Sequence, residues 1–284
     1  MAYHVELQIA AKTDVGLVRQ QNEDAIAHNL ETGLVILADG MGGYNAGEVA
    51  SEIATTTLKE YLNSQLQGRS WGDSSNHSKF IQQILVGSVE RANSEILTAA
   101  RSEPQYSGMG TTVVAAVFHQ NRLTVAHVGD SRAYRMRRGE LVPITRDHSL
   151  LQEQIDAGLV DPEWARFSLN RNLITRAVGV DHSVEVEVHD HVTEVGDLYL
   201  LCSDGLSDML SIHEIGDILN DTSSNLQLCC DSLVAHANQN GGRDNTSVIL
   251  IKVQSNQAVS GRLPQRALSW IADKARMRWR PKSF

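Results

Sequence analysis

Three apolar runs in this 284-residue chain stop at the same kind of place, an aspartate beside a glycine. Residues 33–38 (GLVILA) end at Asp39-Gly40, residues 122–128 end at Gly129-Asp130, and residues 197–202 end at Ser203-Asp204-Gly205. A fourth, Asp244, stands just before the apolar run 245–253, and an acidic pair, Glu23-Asp24, precedes the short run 25–28. A strand fixes the Cα of the residue that ends it, and the neighbouring glycine lets backbone or ligand approach closely. Each Asp-Gly taken alone reads as a turn. Apolar strands leading into DGMGG, GDSR, SDG and RDN together read as carboxylates brought to one place. Carboxylates that converge repel one another unless a cation sits among them, and an all-oxygen donor set selects Mg²⁺ or Mn²⁺ over zinc.

The remaining pattern is that of a globular α+β chain. Alternating apolar residues predict strands at 5–13, 111–119, 122–128, 184–189, 197–202 and 245–253, with shorter ones at 133–136 and 141–144. Helical spacing predicts helices at 46–66, 78–100, 211–219 and 226–238. Strand clusters alternate with paired long helices rather than with single crossover helices. That favours packed antiparallel sheets flanked by helices over a dinucleotide-binding fold. No run reaches the roughly 18 apolar residues of a membrane-spanning helix, and the N-terminus has no signal-peptide core. The three cysteines, Cys202, Cys229 and Cys230, make no C-x-x-C pair, so a disulfide framework or zinc knuckle is not expected. The chain reads as cytoplasmic.

Seven motifs follow one another in the order of a known family: residues 19–24 (RQQNED), 38–43 (ADGMGG), 110–112 (GTT), 129–132 (GDSR), 145–149 (TRDHS), 203–208 (SDGLSD) and 242–248 (GRDNTSV). In these the chain resembles the PP2C-type (PPM) metal-dependent protein serine/threonine phosphatases, in their bacterial branch. The resemblance spans roughly residues 5–253, so a catalytic domain is expected at 1–254, and it implies a four-layer α/β/β/α sandwich, two antiparallel sheets with helices outside each. It also implies hydrolysis of phosphoserine and phosphothreonine on proteins by a water activated between two Mn²⁺ or Mg²⁺ ions. Phosphate monoesters need up to about 10²¹-fold acceleration, and two ions about 3.5–4 Å apart can both activate water and clamp phosphoryl oxygens. By resemblance, Asp39 bridges the two ions, Asp204 and Asp244 complete the first site, and the Gly40 carbonyl joins Asp39 at the second. Glu23 and Asp24 ligate directly or through ion-bound waters. Asp130 with Asp204, helped by Asp208, holds a third, weaker ion. Arg19 is the expected phosphate clamp, since a guanidinium meets two phosphate oxygens at once. Met41 stands where many eukaryotic members have the histidine used as general acid, and it has no proton to give. His148, at the base of a flap expected over residues 147–178, reads as structural. Trp164 and Phe167 are expected to pack that flap, with contact to a substrate as the alternative.

Charge divides the chain. The net charge is −9, yet residues 255–284 hold seven basic residues against Asp273, leaving 18 basic against 33 acidic residues in 1–254. An acidic body is a poor nucleic-acid binder. The basic, amphipathic tail 255–284 has three readings: packing on the acidic catalytic domain, docking a partner or substrate, or lying on an anionic membrane surface. The partners expected are phosphorylated proteins, in opposition to a Ser/Thr kinase, and the resemblance implies a monomer. A phosphoprotein-binding pseudophosphatase and a regulatory phosphatase dedicated to one partner stand as alternatives.

Overall fold

The structure, a computed structural model, describes residues 2–43, 46–68, 76–161, 173–222 and 225–259. Two antiparallel sheets pack face to face. One has five strands in the order β1 (Ala2–Asp14), β11 (Thr246–Val259), β10 (Leu198–Cys202), β7 (Arg132–Arg137), β8 (Glu140–Pro143). The other runs β2 (Asp24–Asn29), β3 (Leu34–Met41), β5 (Val113–His119), β6 (Arg122–Val128), β9 (Glu187–Val192), with the short β4 (Gly110–Thr111) paired to the end of β3.

The apolar runs are unbroken because these strands are covered on both faces, and the two-residue period sorts them. Val35 and Leu37 of β3, Val114 and Ala116 of β5, Tyr199 and Leu201 of β10, and Ile249 and Ile251 of β11 meet in the layer between the sheets. Their neighbours Leu34, Ile36 and Ala38 turn outward onto α1 (Ala46–Leu66) and α2 (Asn76–Ser102). Leu198, Leu200, Val248 and Leu250 turn outward onto α5 (Ile212–Thr222) and α6 (Leu226–Gln239). This is the four-layer α/β/β/α sandwich that the motifs implied.

Several strand limits differ from expectation: β1 starts at Ala2 rather than residue 5, and the run 111–119 divides into β4 and β5. β3 does not stop at Ala38 but carries Asp39, Gly40 and Met41, because Gly40 and Met41 find a partner strand in β4. Alternation begins at Val184, but pairing with β6 starts at Glu187, so β9 lies three residues later than predicted. β11 extends to Val259, paired along its length with β1, and so takes the first five residues of the expected tail into the sheet. The rest of the tail, 260–284, and the flap residues Trp164 and Phe167 lie outside the described residues.

An acid far from the aspartate-rich ends shows how a buried carboxylate is normally held. The Asp197 side chain is 1% exposed and accepts from Arg137 at Nε and Nη2, both at 2.7 Å, from the Glu194 amide at 2.8 Å and from the Tyr199 hydroxyl at 3.1 Å. Burial works to raise its pKa, and these donors, Arg137 foremost, bring it below the ordinary value.

Leu37→Ala opens a cavity between the sheets and is expected to cost about 2–5 kcal/mol. Leu30→Ala, at a half-exposed turn, should stay within about 0.5 kcal/mol. Urea-unfolding midpoints compare the two.

Candidate active site

Both sheets deliver their aspartates to the same end of the sandwich. Asp39 lies in β3, Asp130 follows β6, Asp204 follows β10 and opens the four-residue α4 (Asp204–Ser207), and Asp244 sits two residues before β11. Together with Arg19, Glu23, Gly40, Met41, Gly42, Thr112 and Ile174 they line one cavity of about 230 Å³. Five carboxylates and one guanidinium therefore surround a space the size of a few waters.

Close backbone approach makes this crowding achievable. A Cβ on Gly40 would stand 2.0 Å from the Gly47 carbonyl oxygen, and one on Gly205 would stand 2.0 Å from that of Asn245. Only glycine lets β3 meet the start of α1, and α4 meet the entry to β11. Side-chain bonds complete the frame. Thr112 Oγ1 accepts from the Asp39 amide at 3.1 Å and bonds Ser131 Oγ at 2.7 Å, while the Asp39 carbonyl accepts from the Thr112 amide and the Thr111 hydroxyl, both at 2.9 Å. The Asn245 carboxamide accepts from the Glu23 amide at 2.7 Å and donates to the carbonyls of Val15 at 3.0 Å and Gln21 at 2.8 Å, which fixes the loop bearing Arg19.

Asp24 does not line the cavity. It is paired in register with Asp39, buried beneath the rim, where its Oδ2 accepts from Ser203 Oγ at 2.8 Å and its Oδ1 has no hydrogen-bond partner among the described residues. Arg19 Nη2 reaches Asp244 Oδ2 at 2.6 Å, with the guanidinium half-exposed at the cavity mouth.

The electrostatics are opposite to those of Asp197. Burial, then the charges of Asp24, Asp204, Asp130 and Asp244, hold the Asp39 carboxyl well above its ordinary value. Asp204 is raised in the same way by burial and by Asp130 and Asp208. Burial raises Asp24 to about 6; burial and Asp147 raise Asp130 to about 6. Burial also raises Glu23, against the pull of Arg19. The donor set is all oxygen, Arg19 is the one basic side chain lining it among the described residues, and beneath it lies an unpartnered buried oxygen of Asp24. The set fits hard divalent cations.

The protein phosphatase 2C family model matches residues 17–237. The serine/threonine phosphatase Stp of Listeria monocytogenes is 36% identical over 246 residues, 85% of this chain and 94% of that protein. The chain belongs to the protein phosphatase 2C family. It is a protein phosphatase, and its structural likeness agrees. The crystal structure of the Mycobacterium tuberculosis serine/threonine phosphatase PstP superposes with a TM-score of 0.79 at 38% identity, covering 89% of this chain and all of that one. The catalytic domain of PstP in complex with two manganese ions gives 0.77 at 37% identity over the same shares.

Seven of the nine site residues named from the phosphatase motifs line the cavity; Asp24 lies beneath it, and Asp208 does not line it. Thr112, Ser203 and Asn245 stood inside those motifs without an assigned role. Their signal in the sequence was a polar residue where an apolar strand meets an acidic turn, which marks many ordinary turns as well. Ile174 lines the cavity from the flap, and nothing local in its sequence marks it.

In the metal-free phosphatase Asp24 and Asp130 hold protons in the folded chain that they release when unfolded, so their contribution to stability falls as pH rises from about 4 through about 6, and Asp39 and Asp204, raised in the same direction, add to the fall. Asp204→Asn removes one repelling charge. In chelator its melting temperature should exceed the parent's near neutral pH, by about 2–4 °C for each ~1 kcal/mol relieved, and the two curves should converge toward about pH 4. Thermal unfolding against pH measures this.

Proposed function

We propose that the chain hydrolyses phosphoserine and phosphothreonine on proteins at a centre for two divalent cations, Mn²⁺ or Mg²⁺. The observation that carries this reading is the convergence of five carboxylates and one arginine on a single solvent-reached cavity. In our assignment Asp39 serves both ions, Asp204 and Asp244 complete the first site, and the Gly40 main-chain carbonyl joins Asp39 at the second. Glu23 contributes from the cavity wall, directly or through water. Asp24 supports the set from beneath, and Asp130 with Asp204 takes a third, weaker ion. When bound, such a pair of ions supplies a water that ionises near neutral pH and neutralises the phosphoryl oxygens.

The chain's own groups do the rest. Arg19 sits at the cavity mouth on Asp244, so an entering phosphate dianion can take two of its N–H donors without any movement of the main chain. Asn245 holds the Arg19 loop to Glu23 and to the start of β11, which keeps the clamp in register with the carboxylates. Met41 lies in the cavity wall and has no proton to donate. The leaving serine or threonine oxygen is therefore protonated by ion-bound water or another group, not by residue 41. We place the catalytic domain at residues 1–254, with β11 continuing to Val259, and read the phosphatase as a cytoplasmic monomer opposing a Ser/Thr kinase. No helix among the described residues is long and apolar enough to cross a membrane.

On a phosphothreonine peptide, turnover should require Mn²⁺ or Mg²⁺ and vanish in EDTA. Asp39→Asn should lower kcat by about 10²-fold or more. Arg19→Ala should lower kcat/KM by about 10- to 100-fold, the loss of a charge-assisted bond worth about 1.5–3 kcal/mol. Steady-state kinetics on folded protein decides. No turnover with either metal would leave a phosphoprotein-binding role.

A further inference from the structure

Behind Asp130 lies a cluster that the proposed chemistry does not use. His127 comes from β6, His148 from the base of the flap, and Glu187 and His189 from β9. The rings of His127 and His148 are buried and stacked, with centroids 4.7 Å apart and planes 15° from parallel. Glu187 meets His148 Nε2 at 3.1 Å with one oxygen and His189 Nε2 at 2.5 Å with the other. On its far side, His148 Nδ1 accepts the Gly129 amide at 3.2 Å, and the His148 amide donates back to the Gly129 carbonyl at 2.9 Å.

These contacts fix the tautomer. A backbone N–H can only donate, so Nδ1 of His148 carries the lone pair and Nε2 carries the ring proton, directed at Glu187. Ligand atoms of His127, His148 and Glu187 lie within 4.8 Å of one another, a spacing that would also suit a cation. The protons stand in the way. His148 Nε2 has its proton between itself and Glu187, and His127 Nε2 donates to the Arg146 carbonyl at 2.8 Å. The cluster is a hydrogen-bond relay.

The relay ends on the residue before Asp130. Gly129 has φ +102°, and a Cβ there would stand 2.7 Å from the Thr112 side chain. The turn is therefore held on one side by Thr112 and Ser131 and on the other by His148. The same residue ties in the flap: its carbonyl accepts from the Thr175 amide at 2.8 Å, and Ser149 pairs with the cavity residue Ile174.

We propose that Glu187 and His148 form a positioning device for Asp130, setting how tightly that carboxylate holds the weakest cation of the site. The inference rests on the reading of Asp130 as a cation ligand. His148 does not line the cavity and reaches Asp130 through the Gly129 turn. Partners that orient a metal ligand typically account for 10- to 100-fold in affinity.

The test uses the full-length protein and Mn²⁺, with binding followed by calorimetry and amide exchange of residues 126–132 followed in chelator. Asp130→Asn is expected to abolish the weakest Mn²⁺ site. His148→Ala and Glu187→Ala should each weaken that same site by about 10-fold or more, leave the tighter sites within about twofold, and speed exchange at Gly129. His148→Asn, whose Oδ1 can take over the acceptor role of Nδ1, should restore most of the affinity. If Asp130→Asn leaves Mn²⁺ binding unchanged, the ligand reading of Asp130 fails. If it removes a site while Glu187→Ala and the His148 variants bind Mn²⁺ like the parent, the positioning role is overturned and the ligand reading stands. Should His148→Ala not fold, Glu187→Ala, at a half-exposed edge-strand position, and His148→Asn still decide.

Discussion

Repulsion among carboxylates is the constraint on which the rest of this structure depends. Asp39, Asp130, Asp204, Asp244 and Glu23 face one cavity of about 230 Å³, and like charges at that spacing, partly withdrawn from water, disfavour ionisation. Asp197 shows the alternative: a buried carboxylate given a bidentate arginine, an amide and a hydroxyl, and so held below its ordinary pKa. The cavity carboxylates have only Arg19 among them, and Asp39, Asp204, Asp130 and Glu23 are held above theirs. A fold that keeps five of them together against a single arginine keeps them for cations, and the cost is carried by the rest of the protein.

The sandwich bears that cost by being stiff where the acids attach. β3, β5, β10 and β11 are buried on both faces, against a helix layer outside and the facing sheet inside. The ends of these strands have little freedom to splay apart. The glycines at 40 and 205 then allow backbone to touch backbone, so the carboxylates start closer together than any other residue at those positions would permit. Fixed polar side chains finish the alignment. Thr112 sets the Asp39 amide, Ser203 takes up one oxygen of Asp24, Asn245 binds the Arg19–Glu23 loop to β11, and His148 grips the turn before Asp130. Thr112, Asn245 and His148 act on main-chain amides rather than on the carboxylates that line the cavity, which leaves those oxygens available.

Much of this was legible in the sequence. An apolar run with period two on both faces predicts a covered strand, and an aspartate at its end beside a glycine predicts a carboxylate at a sheet end. Those are local statements, and they placed β3, β5, β6, β10 and the acids at 39, 130, 204 and 244. The strand limits that moved, at Met41, Glu187 and Val259, moved because hydrogen bonding to β4, β6 and β1 decides where a strand stops, and a partner strand distant in sequence leaves no local trace.

The sequence by itself determined that the chain is an α+β protein with hard-cation chemistry, since residue type and spacing fix which faces are apolar and which atoms can ligate. Tertiary structure alone decided that Asp24 lies beneath the cavity while Glu23, its neighbour, lines it. Alternate residues of a strand face opposite sides, and which side is the cavity depends on where the second sheet lies. It alone decided that His148 faces Gly129 and Glu187 rather than the cavity, because that orientation is set by contacts with β6 and β9, whose positions come from the packing of the whole sheet.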